Sequence, residues 1–329
     1  MKTPKLLLPH DYVHLATKHI NAATSHVSFL CMMVTDDLST DELIEALASA
    51  AKRGVDVQVA ADVFTYGEFG GHFVPLKYYT KQSRRTTSMA KRLVASGVKF
   101  TWLGRFSALP ITGRTHIKAL VVDDTVYSFG GVNLDEQSLN FADYMFQCTD
   151  AELAANLRDD ITRLIAADGG NFSYRSHEFN YGENSTVLVD GGFQGDSIIY
   201  RRACHYAQEA KHILFVSQYC PTGKLGRILR KKKTNLYFNR PSLTNNLINQ
   251  IVIHTGMFFS RQTTHYSRDT YLHAKFMIFT MPDNTKVAIT GSHNFVWGGV
   301  LLGTREIALL TTDPKIIQQL ETFFKKYVK

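Results

Sequence analysis

The chain is organised around the stretch THIKALVVD at residues 115–123, which places a histidine, a lysine and an aspartate within an apolar run. The apolar residues predict a β-strand. Because side chains alternate along a strand, His116 and Lys118 are predicted to point to the same face. Seven residues after Asp123, the sequence GGVN at 130–133 adds Asn133. An imidazole beside an ammonium group suits an anionic substrate, although a single His-x-Lys is more often part of a half-buried strand.

A second copy of the pattern stands near the other end of the chain. The sequence LHAKFMIF occupies residues 272–279, and GSHN follows at 291–294. The same elements recur in the same order: His-x-Lys, an apolar strand, a turn, a second strand, then Gly-[Gly/Ser]-x-Asn. This repetition favours a functional pattern. The second copy differs at the aspartate position, which is Thr280, and Asp283 is the candidate replacement after a longer turn.

The duplicated pattern resembles the signature of the phospholipase D superfamily, His-x-Lys-x4-Asp followed by Gly-[Gly/Ser]-x-Asn. The first copy matches it at every position. The sequence LDEQSLNF at 134–141 further resembles the cardiolipin synthase branch, whose members carry a carboxylate where Asp143 stands here. The resemblance implies an α/β fold of two similar α-β-α half-domains. Each would have a mixed, mainly parallel sheet flanked by helices, with the active site between the halves.

The order of predicted elements agrees with two halves. A strand, a helix and a strand follow one another between residues 27 and 59, which is typical of a parallel βαβ unit. We expect an N-terminal phospholipase D-like half at residues 1–168, a polar, glycine-bearing linker at 169–186, and a C-terminal half at 187–329. A monomer would then hold both signatures, and the sequence leaves the oligomeric state open.

The resemblance also implies roles for individual residues. His116 is expected to attack phosphorus, giving a phosphohistidine, while His273 protonates the leaving oxygen; the sequence does not settle their order. Lysine and asparagine would neutralise the phosphoryl oxygens, and a carboxylate would orient each imidazole. The motif aspartate looks mainly structural in the family. The candidate catalytic residues are His116, Lys118, Asp123, Asn133, Asp143, His273, Lys275, Asn294 and Glu306.

No cofactor and no metal is implied by this pattern. None of the four cysteines forms a C-x2-C pair. Cys31, Cys148 and Cys220 stand in apolar runs and are predicted to be buried thiols, which fits a reducing compartment. The first nine residues are not typical of a secretory signal, and no apolar run approaches the length of about 20 residues that spans a bilayer. We therefore expect a cytoplasmic protein, either free or peripheral at the inner face of the membrane.

A net charge of +8 and a pI near 9.2 favour an acidic partner. An anionic phospholipid or membrane surface is the first candidate, and nucleic acid is the second. Two stretches fit either partner: an aromatic and basic loop at 64–85, and residues 224–233, where six of ten positions are Lys or Arg. The alternatives are a surface lid for the loop and a solvated helix face for the basic run.

Three functions follow from these observations. The first is a phosphatidyltransferase or phospholipase of the cardiolipin synthase type, and the second is a metal-independent nuclease of the same superfamily. The third is a phosphate-binding scaffold without activity, which the imperfect second copy favours. Of the remaining histidines, His293 is a candidate pocket residue, whereas His72, His254 and His265 are more typical of surface or core positions.

Overall fold

The computed structural model describes residues 3–66, 81–104, 113–169, 174–244 and 247–329. The chain forms two compact units. The first comprises residues 1–128, 132–140 and 144–173, and the second comprises residues 129–131, 141–143 and 174–329. Most of the predicted loop at 64–85 lies outside the described residues, because residues 67–80 are not among them. Among the described residues, no helix is both long enough and apolar enough to cross a bilayer.

The described elements of the first unit are seven strands and four helices. They are β1 (Lys5–Leu7), α1 (Pro9–Ala22), β2 (His26–Cys31), α2 (Asp41–Lys52), β3 (Asp56–Asp62), α3 (Lys81–Ala95), β4 (Lys99–Leu103), β5 (Ala119–Val122), β6 (Thr125–Ser128), β7 (Met145–Thr149) and α4 (Ala151–Gly169). The strands form one sheet in the order β1-β7-β6-β5-β2-β3-β4. Pro9 begins α1 at a position where its missing N–H group costs no hydrogen bond. The core lies where α1 and α2 pack their apolar faces, including Ile20 and Leu47, against the sheet.

The described part of the second unit holds seven strands and five helices. They are β8 (His177–Asn180), β9 (Ser185–Asp190), α5 (Ile198–Glu209), β10 (His212–Val216), α6 (Gly223–Arg230), β11 (Thr234–Tyr237), α7 (Leu247–Ser260), β12 (Phe276–Thr280), β13 (Lys286–Gly291), α8 (Trp297–Leu301), β14 (Glu306–Thr311) and α9 (Pro314–Phe323). The sheet order is β11-β10-β12-β13-β14-β9-β8. Strand β8 falls inside the stretch that the sequence assigned to a linker.

The two sheets repeat one topology. In the first, β2 pairs in parallel with β3 and antiparallel with β5; in the second, β10 pairs in parallel with β11 and antiparallel with β12. Six strands thus follow in equivalent order, and β4 and β8 are the additions at the edges. The prediction of two similar halves with mixed sheets and flanking helices is confirmed.

The prediction that the sheets are mainly parallel is wrong. Among the strands that the structure describes, only β2-β3 and β3-β4 pair in parallel in the first sheet, and only β10-β11 in the second. The reason is the short connections that follow each His-x-Lys. Asp123 adopts a left-handed conformation, with φ of 48°, in a two-residue turn that makes β5 and β6 a hairpin. Parallel neighbours require a longer crossover, which only the helical connections provide.

Candidate active site

Each His-x-Lys segment lies immediately before a strand rather than within it. Strand β5 begins at Ala119 and β12 begins at Phe276, so both histidines and both lysines precede the ladder. The prediction that His116 and Lys118 alternate within a strand is therefore wrong. Nearby backbone N–H groups donate to acceptors outside the strand ladders. Thr115 N, just before His116, donates to Asp62 Oδ2, and His273 N donates to the carbonyl oxygen of Ala142.

The two motif lysines are buried and arranged alike. Lys118 is 2% exposed and Lys275 is 1% exposed. Each Nζ donates to the carbonyl oxygen of its own motif histidine, at 2.8 Å from His116 O and 2.5 Å from His273 O. Burial lowers the pKa of Lys275 to about 8, although the carboxylates of Asp143 and Glu306 act in the opposite direction. A buried ammonium group of this kind interacts strongly with an anion that enters its site.

His273 is paired with Asp143. Its Nδ1 lies 2.6 Å from Asp143 Oδ2, and both residues are almost fully buried. Since an ionised carboxylate only accepts hydrogen bonds, Nδ1 carries the proton, and Nε2 is the ring nitrogen that faces away from Asp143. This arrangement holds the imidazole in one tautomer and stabilises its protonated form, as the aspartate of a serine-protease triad does.

A short backbone pairing brings Asp143 to this histidine. Ala142 N donates to Tyr271 O, and Ala142 O accepts hydrogen bonds from His273 N and Ala274 N. The ring of Phe141 contacts the rings of Tyr271 and His273. Residues 141–143 follow the first signature in sequence, yet they pack within the second unit.

The space around Gly131, in the first Gly-[Gly/Ser]-x-Asn loop, explains why this position is a glycine. A Cβ at Gly131 would lie 2.7 Å from Asp143 Oδ2 and 2.9 Å from His273 O, which is closer than real contacts allow. The glycine is therefore required for Asp143 to approach His273. In the second copy Ser292 occupies the equivalent position, and its hydroxyl donates to Glu306 Oε2 at 2.5 Å.

Glu306 is buried at the start of β14, directly opposite Asp190 of β9. Asp190 accepts hydrogen bonds from Ser197 Oγ and Ile198 N at the beginning of α5. Burial is the main cause that raises the pKa of Asp190 to about 7; the hydrogen bond from Ser197 lowers it, and the facing Glu306 carboxylate raises it. Asp190 therefore belongs to the electrostatic surroundings of Glu306.

The two motif asparagines are also buried. Asn294 accepts from Ser217 Oγ through its backbone oxygen at 3.0 Å. Within the described residues, Asn133 Oδ1 has no hydrogen-bond partner. A buried amide without its full complement of hydrogen bonds is destabilising, and functional sites are where such groups are retained.

The motif aspartate has a structural position. The Asp123 carboxylate accepts hydrogen bonds from the backbone N–H groups of Thr24, Ser25 and His26, at 3.0 Å each, and so fixes the beginning of β2. Partial burial alone would raise its pKa, but these hydrogen bonds hold the pKa below its ordinary value. Asp283 does not replace it in the second copy. Its carboxylate accepts from Thr285 within its own turn, while Lys211 N donates to the carbonyl oxygen of Thr280.

Two further residues position the histidines, and the sequence analysis missed both. Asp62, at the end of β3, accepts from Thr115 N and from Arg114 Nη1, both at 2.9 Å. Asn239, just after β11, accepts from Leu272 N at 2.9 Å and donates to Leu272 O at 2.7 Å. Because β3 and β11 are equivalent strands, each unit uses a buried polar side chain there to hold the residue before its histidine. The signal in the sequence was a polar residue directly after an apolar strand.

The structure also places the other histidines that the sequence singled out. His293 is buried, and its Nδ1 accepts from Phe295 N at 2.7 Å; its role as a pocket residue stays a prediction. His254 and His265 are exposed, and His72 lies outside the described residues. All four cysteines are free and buried, as predicted for Cys31, Cys148 and Cys220. Among the described residues, no group of three or more His, Cys, Asp or Glu side chains is arranged to hold a metal ion.

Known proteins share this architecture. A family model described as cardiolipin synthase, PLD-like domain, matches residues 16–165 and 227–328. Phosphatidylserine synthase from Haemophilus influenzae Rd KW20 is similar with a TM-score of 0.77 and 12% identity, over 99% of this chain and 87% of that one. Polyphosphate kinase from Porphyromonas gingivalis is similar with a TM-score of 0.61 and 12% identity, over 97% of this chain but 49% of that one.

A third structure matches a smaller part of the chain. Nuc, a phospholipase D family member from Salmonella typhimurium, matches 50% of this chain and 96% of its own at 17% identity, with a TM-score of 0.37. None of the curated proteins matches by sequence. At the identities of the first two structures, the likeness establishes the fold alone.

Proposed function

Because this chain belongs to the family of cardiolipin synthase, phospholipase D-like domains, we propose that it cleaves phospholipid phosphodiesters and transfers the phosphatidyl group through a phosphohistidine intermediate. The observation that carries the proposal is the duplicated set of histidine, buried lysine and asparagine, with a carboxylate on Nδ1 of one histidine. Acyl or glycosyl transfer needs neither two such histidines nor two buried ammonium groups. A phosphodiester, with its anionic oxygens, accounts for both.

In the first step, neutral His116 attacks phosphorus through a ring nitrogen, so that an N–P bond forms as the P–O bond to the leaving alcohol breaks. Protonated His273 gives its Nε2 proton to the departing alkoxide. Asp143 supports the positive charge that His273 carries before this transfer. The product is a phosphatidyl group on His116 and a neutral His273.

In the second step, neutral His273 takes a proton from water or from an acceptor alcohol as its oxygen attacks phosphorus. The N–P bond breaks and His116 is regenerated. Throughout, Lys118 and Lys275 neutralise the negative charge on the non-bridging oxygens, and the amides of Asn133 and Asn294 donate hydrogen bonds to them. Water as acceptor gives phosphatidic acid, whereas an alcohol gives a new phospholipid.

A nuclease with the same chemistry is the second candidate, and the net charge of +8 favours it. The test is a paired assay in EDTA, with phosphatidylglycerol vesicles in one reaction and labelled single-stranded DNA or RNA in the other. The inactive variant is His116→Ala, and the matched control is His10→Ala, an exposed histidine on α1. We expect phosphatidic acid, or cardiolipin with glycerol, from the wild type and His10→Ala but not from His116→Ala.

The other outcomes decide against the proposal. Cleaved oligonucleotide with intact lipid would establish the nuclease. Turnover that appears only when a divalent metal is restored would contradict the histidine mechanism. No product in either reaction would favour a phosphate-binding scaffold.

A further inference from the structure

The positive charge of this chain is concentrated in one segment. Residues 210–268, called the basic segment below, contain ten Lys or Arg and no Asp or Glu. The whole chain has a net charge of +8, so the residues outside the basic segment carry a net charge of −2. Where the basic side chains of such a segment are exposed together, they attract an anionic partner.

Helix α7 lies within the basic segment and exposes apolar side chains. Phe258 is 76% exposed and Phe259 is 75% exposed. Three further apolar residues of α7 are also exposed, and the helical period places all five apolar residues on one side. We call this set the apolar face of α7; it consists of Leu247, Ile251, Val252, Phe258 and Phe259. The opposite side, with Ile253 and Gly256, packs against the unit, so the apolar face is additional to the surface that the core requires.

Basic side chains adjoin the apolar face. Two contacts hold the end of α7 close to α6: Ser260 Oγ lies 2.9 Å from Sγ of Cys220, three residues before α6, and Nε2 of Gln262, two residues after α7, donates to Gly226 O of α6. Helix α6 and the turn after it expose five basic side chains, and Arg261 follows α7 directly. The exposed basic residues of α6 and its turn are Lys224, Arg227, Arg230, Lys231 and Lys233.

We propose that the apolar face of α7 and the basic residues of α6 dock the protein on a bilayer surface that contains anionic lipid. The aromatic and aliphatic side chains enter the boundary between headgroups and acyl chains, and the lysines and arginines contact lipid phosphates. The proposal rests on the proposed function in one respect: a phosphatidyl substrate lies in such a surface.

Two other occupants fit these observations less well. A nucleic acid matches the charge, but it offers no apolar environment for Leu247, Ile251 and Val252. A second copy of the chain matches the apolar face, but pairing would bring two basic segments together, and like charges repel. An anionic bilayer is the partner that satisfies both the charge and the apolar side chains.

Docking is tested by co-sedimentation of the full chain with vesicles, in the His116→Ala background so that no lipid is consumed. Vesicles of phosphatidylcholine alone are compared with vesicles that also contain phosphatidylglycerol. We expect binding only to the second kind, weakening with added salt. The double variant F258Q/F259Q and the triple variant R230Q/K231Q/K233Q should each lower binding about tenfold or more.

Matched controls lie in the first unit. Leu38→Gln replaces an exposed apolar residue, and K18Q/K52Q/K91Q removes three exposed lysines; both should bind as the parent does. Insertion is read directly with Phe258→Trp, whose fluorescence should be quenched by lipids brominated on the acyl chain. Leu38→Trp should not be quenched beyond the native tryptophans.

Activity separates this proposal from the proposed function. Short-chain phosphatidylglycerol below its critical micelle concentration is a monomeric substrate, and F258Q/F259Q should turn it over at the wild-type rate. On phosphatidylglycerol vesicles the rate of F258Q/F259Q should fall. Equal vesicle binding by F258Q/F259Q and the wild type would overturn the docking surface. Two results obtained without vesicle binding would also overturn the docking surface. One is a dimer that F258Q/F259Q abolishes, and the other is oligonucleotide binding that R230Q/K231Q/K233Q loses. Vesicle binding without turnover of any phospholipid would retain the docking surface and refute the proposed function.

Discussion

Asp143 and His273 are 130 residues apart in the sequence, and their side chains meet at 2.6 Å. The carboxylate follows the first signature, whereas the histidine belongs to the second. A residue of one repeat therefore supports the imidazole of the other. The second signature therefore depends on a carboxylate from outside its own repeat, and both residues belong to the second unit.

The Asp143–His273 pair predicts the effect of Asp143→Asn. The amide keeps the size of the side chain but no longer stabilises a protonated imidazole, and it permits the wrong tautomer. We expect kcat to fall about a hundredfold to ten-thousandfold, with little change in thermal stability. Steady-state kinetics on phosphatidylglycerol measures this, with Asp283→Asn in an exposed turn as the control that keeps full activity. An Asp143→Asn enzyme as active as the wild type would remove Asp143 from the mechanism.

Gly131→Ala should inactivate the enzyme through one methyl group. The new Cβ would lie 2.7 Å from Asp143 Oδ2, so the carboxylate must move away from His273. We expect a fall in kcat comparable to that of Asp143→Asn, together with a destabilisation of about 1–3 kcal/mol. Gly298→Ala is the control, because its Cβ meets nothing within 4 Å and lies in a helix, where alanine is favoured. Equal activity of the two alanine variants would show that the space around Gly131 does not matter.

The lowered pKa of Lys275 predicts an alkaline limit to activity. Below its pKa of about 8 the ammonium group is charged and, in the proposed mechanism, neutralises the phosphoryl oxygens; above it, this charge is lost. We expect kcat/KM to fall as the pH rises through this value. Lys275→Arg keeps its charge at every pH used, so its lower activity should show a weaker alkaline decline. Superimposable pH profiles of the two proteins would assign the decline to another group, such as the catalytic acid.

The lowered pKa of Lys275 predicts that the free energy of unfolding rises with pH over the range in which kcat/KM falls. Burial penalises the charged form, so its pKa is lower in the folded protein than in the unfolded chain. The penalty is fully present below pH 8 and disappears as the pH approaches the ordinary lysine value of about 10.4. The difference in unfolding free energy between the wild type and Lys275→Arg should therefore shift in favour of the wild type across that range. Urea denaturation at several pH values measures this difference.

Asp62→Asn tests the positioning of the first histidine. The substitution leaves the buried Arg114 guanidinium without its carboxylate and weakens the hydrogen bond from Thr115 N. We expect a loss of about 3–5 kcal/mol in unfolding free energy and a fall in kcat. Asp56→Asn, on the same strand, breaks only the exposed ion pair with Lys99 and should cost less than about 1 kcal/mol. Similar costs for both variants would contradict the structural role of Asp62.

Much of the fold was predictable because the signature repeats. The apolar runs at β5 and β12, the βαβ order of β2, α2 and β3, and the two-part architecture follow from local patterns. The prevalence of antiparallel pairing did not follow, because it depends on which strands become neighbours. Strand β1, for example, pairs with β7, which lies some 140 residues further along the chain.

The candidate site likewise contains residues that the sequence predicts and residues that only the structure shows. The histidines, lysines and asparagines belong to short motifs that are visible in the sequence, and their catalytic roles stay predictions. The partners of these residues are set by tertiary packing: Asp62 and Asn239 carry no motif, and nothing local indicates that Asp143 serves His273. The strand predicted through His116 begins only at Ala119, and the Thr115 N–H group before His116 donates to the side chain of Asp62.

The most direct test of the phosphohistidine is to trap it. A phosphatidyl ester of p-nitrophenol needs no acid to expel its leaving group, so His273→Ala should complete the first step with this substrate and stall before the second. The reaction is quenched in alkali, the protein is digested, and the peptides are analysed by mass spectrometry, with His116→Ala as the control. We predict a stoichiometric phosphatidyl adduct on His116 in His273→Ala and none in the control. Release of p-nitrophenol over many turnovers with no adduct on His116, or an adduct on His273 in the wild type, would contradict the mechanism.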